Sequence, residues 1–140
     1  MKFLQEELMS ELFDEQWMKN YQAEWNKDVE LKHQLKKIGF SSAIGYGFPD
    51  EATPRGYIVV EDGEAVNAGV YNGENLSWDL RAKKNHWLDW FRREVGKTSI
   101  GLAWSTGKLQ FVEGNYKDMI KDPDMSFSFI KSFSVMGRTQ

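Results

Sequence analysis

Gly101-Leu102-Ala103-Trp104-Ser105-Thr106-Gly107-Lys108-Leu109-Gln110-Phe111-Val112-Glu113-Gly114-Asn115-Tyr116-Lys117-Asp118-Met119-Ile120 decides how the rest of the chain is read. Ser99 is placed to cap a short helix over residues 100–104, and Gly107 then releases the chain into a strand over 108–113. Leu109 and Phe111 share one face of that strand by its period of two. Asn115 can cap a further helix through Met119 and Ile120, which Pro123 interrupts. One apolar strand face between two helices is the wall of a pocket or a packed core.

Upstream, Trp87, Leu88, Trp90 and Phe91 recur at helical spacing over 84–94, closed by Gly96. Before them Leu76, Trp78, Leu80 and Ala82 alternate with Ser77, Asp79, Arg81 and Lys83. That alternation predicts a strand with one dry and one wet face, Asp79 and Arg81 forming a surface pair on the wet side. Asp62-Gly63 favours the left-handed backbone of a two-residue hairpin and pairs residues 57–61 with 65–70. Residues 41–48 form another strand, with Ile44, Tyr46 and Phe48 on one face and a loop over 49–56. Asn72-Gly73 makes a second turn that invites pairing of the third and fourth strands.

At the N-terminal side, Leu4, Leu8 and Leu12 define one helical stripe, and Phe13, Trp17, Tyr21 and Trp25 another on the opposite side. The break falls at Phe13-Asp14, so we read a helical arm over 1–12, an N-cap at Asp14 and a main helix to about residue 26. Phe13 is placed to staple onto Met18. Asp28 can start a shorter helix through Val29, Leu31 and Leu35, ended by Gly39. Residues 125–136 satisfy two periods. Phe129, Phe133 and Met136 suit a helix face, Phe127, Phe129, Phe133 and Val135 a strand, and the interleaved serines suit a cover with a wet outer side.

The 140 residues fit one domain, residues 1–140, and a chain this long buries roughly 68–70% of its unfolded surface. An aromatic share of 14%, with Trp 6 and Phe 9, is enough to fill a core and line a cavity. The formal net charge of −3, with signs mixed along the chain, argues against nucleic acid as a partner. With Cys 0, disulfides, thiolate metal sites and cysteine nucleophiles are excluded. No apolar run reaches the length of a transmembrane segment, and Met1-Lys2-Phe3-Leu4-Gln5-Glu6-Glu7 is too polar for a signal peptide, so a cytoplasmic location is expected.

His33 and His86 stand apart and fit no metal-ligand spacing, and the acid pairs Asp50-Glu51, Glu61-Asp62 and Asp122-Asp124 flank loops or turns. No catalytic residue, metal site or cofactor is therefore expected. The apolar residues carry the functional signal, either as core or as the lining of an adaptable cavity.

Residues 12–17, Leu12-Phe13-Asp14-Glu15-Gln16-Trp17, and 24–31, Glu24-Trp25-Asn26-Lys27-Asp28-Val29-Glu30-Leu31, resemble the opening helices of bacterial sterol carrier protein 2-like (SCP2) domains. Val59-Val60-Glu61-Asp62-Gly63-Glu64-Ala65-Val66 is similar to their central hairpin. Gly107-Lys108-Leu109-Gln110-Phe111-Val112-Glu113-Gly114-Asn115 resembles their Gly-Lys-Leu strand and the helix start after it. The resemblance covers residues 12–120.

It implies an α/β layer fold, with a twisted, mostly antiparallel five-stranded sheet, the fourth strand beside the first, and helices covering one face. It also implies an apolar tunnel between sheet and helices that takes fatty acyl, sterol-like or other lipid ligands. Carried onto this chain, the lining is Trp87, Trp90, Phe91, Leu102, Trp104, Leu109, Phe111, Met119 and Ile120. The segment 122–140, with Phe127, Phe129 and Phe133, becomes a helical lid.

The sequence departs from the family pattern in the large aromatics of 87–91, which shrink or close a tunnel. Gly137-Arg138-Thr139-Gln140 is not the peroxisomal tripeptide of the eukaryotic carriers. The expected function is non-enzymatic binding or transfer of an apolar or amphipathic ligand. The alternative is an accessory subunit or interaction module with a filled core, a possible homodimer, associated with the metabolism of an apolar or aromatic substrate.

Overall fold

Two aspartates start the first two helices. In the computed structural model, which describes residues 11–139, Asp14 accepts the Trp17 amide at 2.8 Å and opens α1, Glu15–Lys27. Asp28 accepts the Leu31 amide at 2.9 Å and opens α2, Val29–Lys37. The arm expected over residues 1–12 lies, but for Glu11 and Leu12, outside the described residues. Phe13 turns the chain into α1 at φ 66, a backbone that bulky residues rarely adopt. Complete burial beside Trp17, Tyr46 and Trp87 holds it there.

Five strands follow the period-two signals: β1 Ser42–Gly47, β2 Gly56–Glu61, β3 Glu64–Val70, β4 Trp78–Arg81 and β5 Gln110–Glu113. The sheet order is β3-β2-β1-β4-β5, with β1 and β4 parallel and the other pairs antiparallel. Asp62 at φ 47 and Gly63 at φ 85 make the expected hairpin turn between β2 and β3.

The second turn does not give a hairpin. The outer edge of β3 is already bonded to α1, where Asn26 exchanges two hydrogen bonds with Ala65 and Glu15 accepts the Val70 amide. The chain after Gly73 therefore crosses to the free edge of β1, where Ser77 donates to the Ala43 carbonyl at 2.9 Å. An edge covered in this way is closed to further strands.

The remaining helices are α3 Lys84–Arg92, α4 Lys97–Ser105, α5 Tyr116–Ile120 and α6 Pro123–Arg138. Helix α4 starts earlier than Ser99 was expected to start it. Gly96 is the N-cap, and Ser99 reaches back instead to accept the Gly96 amide at 2.9 Å. The C-terminal segment resolves to one helix because Asp122 caps it and Pro123 stands at its first position. Gly137 lets α6 lie against α3, since a Cβ there would stand 2.8 Å from the Phe91 carbonyl oxygen.

One continuous core lies between the helices and the sheet face bearing Ile44, Tyr46, Ile58 and Leu80. The opposite face is not uniformly wet, which corrects the reading of β4. Asp79 and Arg81 are both buried, paired through two bonds of 2.6 and 2.9 Å. Arg81 also donates to the carbonyls of Phe48 and Glu51, so the loop after β1 covers the pair.

Candidate binding site

Helix α6 is the roof of the candidate site, and its side chains explain why. Ser126, Ser128 and Ser132 are buried, as are Phe129, Phe133, Val135 and Met136, which leaves Ser134 as the exposed serine. The serines therefore do not form a wet outer face, contrary to expectation. Beneath α6, Met125, Ser128, Phe129 and Ser132 close over Trp25 of α1, Leu35 of α2, Phe40, Ile44 and Tyr46 at β1, Leu80 of β4 and Met119 of α5. The cavity they enclose measures about 20 Å³, room for about one water molecule.

Four of the lining side chains carry a polar atom: Trp25, whose indole N–H is bonded to the Gly63 carbonyl, Tyr46, Ser128 and Ser132. The Tyr21 and Tyr46 hydroxyls lie 3.0 Å apart, and Ser132, which donates to the Phe129 carbonyl at 2.6 Å, interacts with Tyr21. Burial raises both phenol pKa values, for Tyr46 against the opposing effect of its bond to Tyr21, so both side chains are neutral at physiological pH. Ser128 Oγ is buried with no hydrogen-bond partner among the described residues.

Of the twelve lining residues expected from the resemblance, Met119 and Phe129 border this cavity. Trp87, Trp90 and Phe133 are buried in a mutually packed cluster, with Trp87–Trp90 centroids 5.5 Å and Trp90–Phe133 centroids 5.8 Å apart. Phe91 borders the same cluster, its ring 6.2 Å from Trp87. Leu109 is fully buried, while Phe111, Trp104 and Ile120 are half-buried around the core. Trp104 stacks on Tyr116 at 4.5 Å. Leu102 and Phe127 are exposed at the surface.

Trp25, Leu35, Tyr46, Ser128 and Ser132, which do border the cavity, were read as helix stripe, strand face or outer serines. The available signal was the four-residue interval between Ser128 and Ser132, which puts both hydroxyls on one side of a helix.

Ionic contacts fasten α6 to the first two helices. Arg138 bonds Asp28 at 2.8 Å, Lys131 lies 3.1 Å from Glu30 and 3.7 Å from Asp28, and Lys37 lies 3.5 Å from Asp124. On the outer side of α6 runs an open groove of about 420 Å³, with Val95, Phe127 and Ile130 along it and Lys97, Lys131, Glu30 and Glu94 at its edges. One helix thus stands between a small apolar cavity and an open amphipathic groove.

Catalytic geometry is sparse among the described residues. No group of three or more His, Asp or Glu side chains is placed to hold a metal, and no helix is long and apolar enough to cross a membrane. Glu51 is bonded by Arg55 at 2.6 and 2.7 Å, which lowers its pKa. His33 is exposed, and His86 is half-buried with its ring 6.1 Å from Trp90.

No family model matches the sequence, and no curated protein does. Solved structures match the fold. A crystal structure of sterol carrier protein 2 superposes with a TM-score of 0.71 over 90% of this chain and 97% of that one, at 14% identity. The fold is that of sterol carrier protein 2. A solution structure from Thermus thermophilus, described as possibly a sterol carrier protein, gives a TM-score of 0.61 at 18% identity over 90% of each chain. A ubiquinone synthesis protein, UbiJ-SCP2, gives 0.53 at 10% identity over 81% of this chain and 82% of that one.

Proposed function

We propose that this chain is a non-enzymatic binding or transfer module for an apolar or amphipathic small molecule of the lipid class, held between the sheet and α6. The observation that carries the reading is the apolar cavity under α6 in a sterol carrier fold. Its volume of about 20 Å³ lies far below the roughly 300–1,000 Å³ of ligand sites. Loading therefore requires α6 to move outward. The adaptable side chains at the seam, Met119 and Met125, suit such repacking. Each methylene buried stabilises the complex by about 0.8 kcal/mol, so a modest chain offsets the opening of the roof.

The twelve residues of the resemblance divide on this reading. Met119 and Phe129 touch the ligand first. Phe111, Phe133 and Trp87 border the space it enlarges, and Phe127 marks the outer groove. Native mass spectrometry of the purified protein and titration with the neutral dye Nile red test the proposal. A retained lipid mass, or saturable dye fluorescence displaced by long-chain lipids, is the expected result. Protein that carries nothing and binds no dye overturns it.

A second reading, a filled-core interaction module, is supported by the Trp87 cluster, which occupies the space beside Tyr46. That reading expects no ligand and a partner chain in pull-down.

A further inference from the structure

The roof helix brings an unusual polar element to an apolar enclosure. Ser128 is 3% exposed and borders the cavity, yet its hydroxyl finds no partner among the described residues. A helical serine usually satisfies itself on the carbonyl one turn back or faces water. Ser132, one turn on, does the former, donating to the Phe129 carbonyl. Ser128 therefore stands out as a buried hydroxyl with both donor and acceptor capacity open, a costly arrangement unless something occupies the space before it.

Tyr46, its hydroxyl bonded to Tyr21, borders the same enclosure, and the other lining side chains are apolar apart from Ser132 and the Trp25 indole N–H, which is bonded to the Gly63 carbonyl. Among the described residues, no Lys, Arg or His borders the cavity, and no Asp or Glu does. A carboxylate or phosphate brought there would lose its water with no counter-charge to replace it. A neutral hydroxyl or carbonyl oxygen meets donors and acceptors of its own kind.

We infer that Ser128, with Tyr46 lining the same cavity, forms a head-group subsite that selects an apolar ligand bearing a neutral hydroxyl or carbonyl oxygen and rejects one bearing an anionic head. This rests on the binding function proposed above. The ligand's apolar body lies among Trp25, Leu35, Ile44, Leu80, Met119 and Phe129, and its oxygen meets Ser128 as α6 closes.

The test uses the full chain at pH 7.5 and three probes with the same tail, 4-octylphenol, 4-octylbenzoate and octylbenzene, each displacing Nile red. In the wild-type protein the phenol is expected to bind at least about tenfold more tightly than the benzoate, whose charge finds no partner. Ser128→Ala is expected to weaken phenol binding roughly two- to tenfold, the scale of one hydrogen bond, and to leave octylbenzene binding unchanged. The same variant should melt no lower than wild type, because it deletes an unsatisfied buried hydroxyl; Ser132→Ala, at a self-satisfied hydroxyl, is the comparison.

Benzoate binding equal to or tighter than phenol binding, or phenol affinity unmoved by Ser128→Ala, overturns the subsite and leaves the binding function standing. If dye binds and none of the three probes displaces it, the subsite fails alone. If the protein binds no dye and no probe, both fall together.

Discussion

The indole N–H of Trp87 donates to the Gly47 carbonyl at 3.0 Å, pinning a fully buried tryptophan of α3 to the last residue of β1. Phe13 meets the ring edge-on at 5.2 Å and Phe133 stacks on it at 6.2 Å, so the turn that leads into α1, α3, α6 and the sheet all converge on one side chain.

Trp87→Ala should therefore destabilise the fold by about 3–5 kcal/mol, the usual cost of removing a buried large aromatic. Urea denaturation measures it. Because the vacated volume is apolar and borders Tyr46, the variant should also gain affinity for a small apolar ligand such as benzene, by calorimetry. A loss below about 1 kcal/mol would mean that neighbouring rings collapse into the space.

The buried pair on the opposite sheet face behaves differently. Arg81→Met removes the cation and leaves Asp79 in a dry site, at a cost of about 3–5 kcal/mol. The double variant Asp79→Leu with Arg81→Met removes both charges and should recover most of that loss. Arg81 also holds the Phe48 and Glu51 carbonyls, so hydrogen exchange after Arg81→Met should quicken first in the loop between β1 and β2. If the double variant is as unstable as the single one, the loop contacts rather than the charge pair carry the energy.

That pair also shows what the sequence makes legible. Helix starts at Asp14 and Asp28, the Asp62-Gly63 hairpin and the strand after Gly107 are local features, each set by a side chain within a few residues of its effect. The polar-apolar alternation of β4 is equally local, but the solvent exposure of Asp79 depends on a loop thirty residues earlier in the chain crossing back over it. Asn72-Gly73 shows the same limit. Its turn forms at φ 92, yet the partner of β4 is decided by which sheet edge α1 has left free. The cavity was harder still, because Ser128 and Trp25 meet only when α6 folds back over α1. Period alone places each on a face; it does not say which faces meet.

The ionic fastening of α6 should control entry as well as stability. Lys131→Met and Arg138→Met together break pairs to Glu30 and Glu24, each worth about 0–1 kcal/mol, and strip both cations from Asp28, whose side chain is only 8% exposed and whose loss is the larger one. The melting temperature should fall by a few degrees, while Nile red uptake by stopped flow quickens and α6 amides exchange sooner. In the wild-type protein, 1 M NaCl should reproduce part of the effect, since screening shortens the reach of these charges to about 3 Å. Unchanged uptake in both experiments would show that apolar packing alone sets the opening rate.

Acid acts on the same fastening, and Asp28 is the carboxylate that Arg138 and Lys131 share. Burial of Asp28 works against its charge, but the Leu31 amide, Arg138 and Lys131 outweigh it and hold the pKa below the ordinary 3.8. A carboxyl whose pKa is lower folded than unfolded stabilises the fold above its unfolded value, and this contribution disappears as pH falls through the folded value. Asp28→Asn retains a competent helix cap while removing the charge. The stability difference between wild type and Asp28→Asn should therefore be constant above about pH 5 and shrink progressively below pH 3.8. Urea midpoints collected from pH 7 down to about pH 2.5 measure that difference. In parallel, dye uptake by wild type should approach the faster rate of Asp28→Asn as Asp28 is protonated, because both then lack the anion that Arg138 and Lys131 grip. A difference that stays flat to the lowest pH would mean that Asp28 acts on α2 only as a cap and leaves α6 untouched.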